Sequence, residues 1–355
     1  MLLNFSSAEL KGNLPKLDGL RAISVLFVVL SHSGFGNIIP GGFGVTIFCF
    51  ISGYLITTLL RKELELNYKI NLKNFYLRRF WRLVPALIIY VLIAVIANKL
   101  VKNTIATEES LAAIFYLSNY YDLYKGYTPL SKIHSPYDIL WSLSIEEHFY
   151  IFFAPLLLLF KSRSKITLLI ISLIIIPLLL RVNAIFFDFS SFNKLYTYIA
   201  TECRIDSIAF GCLLAYFSIN TKNKNQELFS LLLGSTIIIF TLLYRNDDFR
   251  ETFRYTLQGI GLFLIINNII HGKHTQKITN FLEIRPLIFI GKVSYSIYLY
   301  HWLALIIIEL VTQNNSLTVY SHIAFWTLTA TLSLASFFFV EQPCLGLRRR
   351  YGSHV

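Results

Sequence analysis

Residues 17–32 read LDGLRAISVLFVVLSH, an apolar run that opens with Arg21 and closes with His32. At about 100° and 1.5 Å per residue, a helix carrying this run returns to nearly the same face after eleven residues, roughly 16 Å along its axis. Arg21 and His32 are then expected to line one channel. Ionisable groups inside an apolar span are costly, and they face a bundle interior, a cavity or a partner. The stretch therefore reads as a membrane helix forming one wall of an active site.

Working outward, the chain repeats this apolar character along its whole length. Its 355 residues are 55% hydrophobic and only 15% charged, with a mean hydropathy of +0.58. Runs of about 17–25 apolar residues, enough to cross a hydrocarbon layer of roughly 30 Å, are expected near 17–33, 43–60, 82–101, 138–160, 166–181, 195–218, 229–244, 252–270, 293–311 and 317–340. The fold class is all-α, a polytopic integral membrane protein with about ten transmembrane helices. The single membrane domain is placed at 1–345, with a basic tail at 346–355. Lys and Arg concentrate in the loops on the side that holds both termini, the opposite set being about half as basic, so both termini are expected to be cytoplasmic. The formal charge of +12 follows from this loop bias, so no nucleic-acid partner is expected. Cys49, Cys203, Cys212 and Cys344 show neither paired nor metal-ligand spacing and read as packing residues. No cleavable signal layout precedes the first helix.

The longest outside loop, 102–137, is rich in Tyr, Asn and Ser. Its SLAAIFYL segment (110–117) is too short to cross and is expected to lie as an interfacial helix. The tyrosines there suit a headgroup belt or a surface for stacking on a sugar.

Ionisable groups within or beside the spans supply the candidate site. His32 precedes a tight hairpin, SGFG at 33–36; it reads as a helix-end histidine or, paired with Arg21, as a general base. FGVTIFCFISGYLITTLL (43–60) carries small residues Gly44, Ser52 and Gly53 that suit close helix packing. KNFYLRRFWRLVPAL (73–87) sets Arg78, Arg79 and Arg82 at the cytoplasmic start of the third span. These either obey the positive-inside bias or grip phosphate with forked hydrogen bonds. In SPYDILWSLSIEEHFYIFF (135–153), Ser144 and Glu147 have capping-box spacing, which leaves Glu146 to orient or charge a histidine. In TECRIDSIAFGCLLAY (201–216), Arg204 and Asp206 serve either helix pairing or binding, and Ser207, Gly211 and Ala215 form a small-residue stripe. His301 sits in GKVSYSIYLYHW (291–302) beside Tyr298. Glu309 and Glu341 fall near helix ends and read as structural.

Taken together, these stretches resemble the acyltransferase-3 family of membrane-bound acyltransferases, nearly end to end. The likeness rests on LDGLRA followed by His32, GVTIFCFISGYLI, FYLRRFWRLVPA, WSLSIEEHFY, RIDSIAFGCLLA, SYSIYLYHW and a closing VEQP before the basic tail. It implies transfer of an acyl group, usually acetyl, from cytoplasmic acyl-CoA to a hydroxyl of a surface or lipid-linked polysaccharide such as O-antigen, capsule or exopolysaccharide. The setting it implies is the bacterial inner membrane. Acetyl-CoA would be a co-substrate, with no permanently bound cofactor and no metal. The resemblance sets Arg79 and Arg82 on the family's R-x-x-R, and Arg21 and His32 on its paired Arg and His. His32 would then be general base or transient acyl acceptor, supported by Glu146; Arg78, Arg204, Asp206, Tyr298 and His301 complete the expected binding set.

Thr46, Cys49 and His148 depart from the family pattern. Many relatives carry a further periplasmic esterase-like domain; this sequence ends after its tenth expected span, so acceptor recruitment is expected to fall to the membrane core or to polysaccharide-assembly proteins. A monomer or simple homodimer is expected. The alternatives are acylation of peptidoglycan or of a small glycosylated metabolite and, from a different class, a proton-coupled transporter.

Overall fold

The computed structural model describes residues 14–100, 105–125, 134–160, 162–187, 193–219, 223–312, 318–348 and 351. Among them there is no strand. The principal helices are α1 (Pro15–Leu30), α2 (Gly41–Asn67), α3 (Leu72–Leu100), α4 (Trp141–Leu159), α5 (Arg163–Phe186), α6 (Asp206–Tyr216), α7 (Lys224–Leu243), α8 (Arg254–His271), α9 (Arg285–Thr312) and α10 (Val319–Ser336). Pro15 sits at the first turn of α1, where its missing N–H costs nothing. A π-turn over Ser31–Phe35 ends that helix as Gly34 takes φ +99°.

Among the described residues, eight helices are long and apolar enough to cross a membrane, fewer than the ten expected spans. The shortfall falls on two segments. The expected span 195–218 is broken into Asn193–Ile199, Thr201–Arg204 and α6. At eleven residues, α6 is only about 16 Å long, half a hydrocarbon layer. The expected span 252–270 forms α8, 18 residues long, which carries Gln258, Asn267 and Asn268 buried in its interior and is not among the eight. The tail beyond Arg348 lies almost entirely outside the described residues.

Helices α2 and α9 are central: 72% of the most apolar window of each is buried, against 28% for α3 and 22% for α5. Small residues set how closely they pack. A Cβ on Gly53 would stand 2.0 Å from the Ile208 carbonyl oxygen, and one on Gly211 would stand 2.0 Å from that of Phe50. Only glycine lets α2 and α6 meet backbone to backbone, as the small-residue stripe of the sequence implied. Gly291 makes the same close approach of α9 to Asp18 of α1.

The segment expected as a short non-crossing helix is one, with Leu111, Phe115 and Leu117 exposed, and only its tip packs into the bundle. Helices Thr107–Ile114 and Ser118–Lys125 form a hairpin whose tip, Tyr116, adopts a left-handed φ of 57°. Asn119, fully buried, donates to the Ile199 carbonyl at 3.2 Å and to the Thr201 hydroxyl at 3.0 Å. These bonds tie the amide nitrogen of Asn119 to the segment that follows Ile199, while Oδ1 of Asn119 and the hydroxyls of Tyr116 and Ser118 have no hydrogen-bond partner among the described residues.

Candidate active site

A cavity of about 520 Å³ opens among α1, α2, α3, α4 and α9, near the N-terminal ends of α1, α3 and α9. Its lining includes Arg21, Arg79, Arg82, Glu146 and Tyr298, all candidate site residues from sequence, together with Glu147 and Glu341, which were read as structural, and Lys292 and Tyr116, which were not singled out. The cavity therefore gathers four cations, the two of the R-x-x-R spacing together with Arg21 and Lys292.

The cavity is not purely basic. Arg21 pairs with Asp18 at 3.4 Å. Arg79 lies 3.8 Å from Glu147, and its guanidinium sits 3.3 Å above the centre of the Tyr150 ring. Its Nε and Oε1 of Glu147 have no hydrogen-bond partner among the described residues. Such groups cost free energy until a ligand satisfies them. Glu147 is therefore the counter-ion of Arg79 rather than half of a capping box, and Ser144 donates to the Leu140 carbonyl at 3.1 Å.

Glu146 accepts from Ser52 at 3.1 Å and from Tyr150 at 3.0 Å. It ties α2 to α4, so the expected pairing of Glu146 with a histidine is corrected by these bonds. The partner that orients His32 is another imidazole. His32 Nδ1 lies 3.0 Å from His301 Nε2, the rings are parallel within 5°, and His301 Nδ1 lies 3.1 Å from the Ile297 carbonyl oxygen. A carbonyl only accepts, so the proton of neutral His301 is on Nδ1 and its Nε2 receives the Nδ1–H of His32. This leaves the lone pair of His32 on Nε2, which has no protein partner among the described residues.

His32 and His301 do not line the cavity. The phase expected for a continuous helix is lost at the π-turn that carries His32. Tyr298 borders both regions: it lines the cavity, and its ring centre lies 5.8 Å from that of His301. Its hydroxyl is held by Ser142 at 2.7 Å and donates to the Ile139 carbonyl at 2.8 Å.

The remaining expected binding residues lie elsewhere. Arg78 bonds Glu63 at 3.4 Å and the Tyr351 carbonyl at 3.1 Å. Arg204 is stacked 3.7 Å over the Tyr255 ring and donates to the Tyr198 carbonyl at 3.2 Å. Asp206 meets Arg181 at 2.8 Å with neither side chain exposed, and it also accepts from Thr256 at 3.0 Å. Both residues of the 201–216 motif hold the broken helix in place; the alternative of helix pairing left open by the sequence is the one the geometry takes. Glu341, expected to be structural, accepts from the Ser296 hydroxyl and also faces the cavity. Thr46 bonds the Gly42 carbonyl and Gln258, and His148 pairs with Thr201 at 2.7 Å.

An acyltransferase-domain family matches residues 14–340. The chain belongs to the acyltransferase-3 family. It is 31% identical over 351 residues to the O-acetyltransferase OatA of Staphylococcus aureus strain NCTC 8325, which covers 93% of this chain and 57% of the relative. A second S. aureus protein, SACOL0978 of strain COL, provisionally named an O-acetyltransferase, is 33% identical over 350 residues with the same coverage. The chain thus spans little more than half the length of the curated relatives it matches. No solved structure is significantly similar to it. Eight apolar helices and this family membership make it a multi-pass membrane protein.

Proposed function

We propose that the protein is a bacterial inner-membrane O-acetyltransferase that moves an acetyl group from cytoplasmic acetyl-CoA to a hydroxyl of a surface or lipid-linked polysaccharide. The single observation that carries this reading is the hydrogen-bonded chain from the Ile297 carbonyl through His301 to His32, which leaves one imidazole nitrogen unprotonated and free. With the basic loops on the cytoplasmic side, the cavity opens toward the cytoplasm and His32 lies toward the outer face. CoA is long and thin, with phosphates at one end and the thioester at the other. Arg21, Arg79, Arg82 and Lys292 suit the phosphates, and Tyr298 marks where the thioester end meets the histidine pair.

In this reading His32 Nε2 attacks the thioester carbon, the C–S bond breaks, and CoA leaves as its thiolate to take a proton from cytoplasmic water. Acylated on Nε2 and still protonated on Nδ1, His32 is then a cationic acyl-imidazolium, whose Nδ1–H stays hydrogen-bonded to His301. The acyl group then passes to an acceptor hydroxyl on the outer side. Relatives that carry an O-acetyltransferase name support transfer of acetyl to oxygen.

Radiolabelled acetyl-CoA supplied to membrane vesicles tests the reading. Label is expected in the carbohydrate fraction with the wild-type protein and not with equally abundant His32→Ala. Equal labelling by both would remove His32 from the reaction, and no interaction of the wild type with acetyl-CoA would sink the proposal.

A further inference from the structure

Near the C-terminal ends of α1 and α9 lies a second imidazole that the scheme above does not use. His134 Nδ1 is 3.0 Å from Oε1 and 3.2 Å from Oε2 of Glu309, and the backbone N–H of His134 donates to the same carboxylate at 3.3 Å. Glu309 is 2% exposed whereas the His134 side chain is 38% exposed. A carboxylate only accepts when ionised, so it fixes the His134 proton on Nδ1 and turns an unprotonated Nε2 outward. Among the described residues, that Nε2 has no protein partner.

The position of this dyad is set by Trp302. The indole ring is met at 4.9 Å by His32 and at 5.5 Å by His134, in both cases edge-on, and its Nε1 donates to the Ser135 carbonyl at 2.8 Å. One rigid side chain therefore spaces the two imidazoles. Both imidazoles pack against the same indole ring, which brings the proposed acyl-bearing nitrogen and a second unprotonated nitrogen into one neighbourhood. The indole bond to Ser135 already anchors this stretch of chain. A buried carboxylate that spends both oxygens on one histidine adds an orienting role.

We propose that His134, oriented by Glu309, is the general base that takes the proton of the acceptor hydroxyl. The inference rests on the reading that His32 carries the acyl group: an acylated nitrogen has no lone pair left to act as base, so the second half-reaction needs another. The hydroxyl O–H bond breaks as its proton moves to His134 Nε2. The oxygen bonds to the acyl carbon, and the bond from that carbon to His32 Nε2 breaks with its electron pair returning to the nitrogen. His134 then loses the proton to water on its exposed side. Each turnover releases this proton on the acceptor side, while the CoA thiolate takes one up on the other.

Hydroxylamine separates the base from the acyl carrier, since its uncharged nitrogen attacks an acyl-imidazole without prior deprotonation. Membrane vesicles from producing cells are given labelled acetyl-CoA, and two products are followed: base-labile label in the endogenous carbohydrate, and acetohydroxamate above the His32→Ala background. His134→Gln is expected to lower carbohydrate labelling by about 100-fold and to leave acetohydroxamate within about twofold of wild type. Glu309→Gln, whose amide oxygen still accepts the Nδ1 proton, is expected to lose about tenfold in carbohydrate labelling alone. Unchanged carbohydrate labelling by His134→Gln overturns the inference, and an equal loss of both products at equal protein abundance reduces His134 to a structural role. Wild-type protein that labels carbohydrate but yields no acetohydroxamate above background also overturns it, because no acyl group is then exposed on His32. A wild type silent for both products instead refutes acyl transfer itself.

Discussion

His32 Nδ1 and His301 Nε2 lie 3.0 Å apart across 269 positions of sequence, with the Ile297 carbonyl behind them. The order of these three groups dictates the tautomer of His32. His301→Ala is expected to lower the turnover of acetyl transfer by about 10²–10⁴, with the acetyl-CoA concentration for half-maximal rate nearly unchanged. His301→Gln keeps an acceptor oxygen for the His32 proton and should recover part of the loss. A shift in half-saturation without a loss of turnover would contradict this assignment.

Arg82 and Lys292 line the cavity together, and Arg79 beside them is engaged by Tyr150 and Glu147. Arg82→Gln is expected to raise the half-saturating acetyl-CoA concentration by about tenfold, the worth of one charge-assisted hydrogen bond. Arg79→Gln should do the same and in addition lower the thermal midpoint of the detergent-solubilised protein, because it leaves Glu147 without its counter-ion. Isothermal titration with CoA checks the first effect and a melting curve the second.

Asp206 and Arg181 form a fully buried pair. Asp206→Ala leaves the guanidinium uncompensated and is expected to cost about 3–5 kcal/mol of stability. The amount of folded protein recovered should fall, while any folded fraction binds acetyl-CoA as wild type does. A pure affinity defect in a protein of normal stability would restore Asp206 to the binding site.

The Asp122 carboxyl is raised from 3.8 to about 8 by burial, with Asp138 and Glu109 adding repulsion. The folded chain therefore holds a proton that the unfolded chain releases above about pH 4. Stability from this group is complete below that pH and is lost as pH rises toward about 8. Asp122→Asn should flatten this part of the stability profile. Melting curves of both proteins between about pH 5 and 8 check it, and parallel slopes would rule the effect out.

Much of the site was legible because a charged or imidazole side chain in an apolar run is costly wherever the helix goes. Arg21, Arg79, Arg82 and Glu146 were visible on that ground, and all four face the cavity. Glu309 carried the same signal within LIIIEL but was read as a helix-end residue, because its partner His134 belongs to a loop 175 positions away. Lys292 and Tyr116 carried no such signal: a lysine at a span end and a tyrosine in a loop are ordinary until packing turns them inward.

Composition and hydropathy by themselves determined an all-helical membrane protein, because only helices or closed barrels satisfy the backbone in lipid and the apolar runs have helical length. The motif order also determined the family. Tertiary structure alone decided that Arg204 and Asp206 brace a broken helix, that the tip of the 107–125 segment packs into the bundle, and that His301 rather than Glu146 orients His32. Hydropathy records the cost of placing a group in lipid; which neighbour offsets that cost is fixed by contacts between helices far apart in the chain.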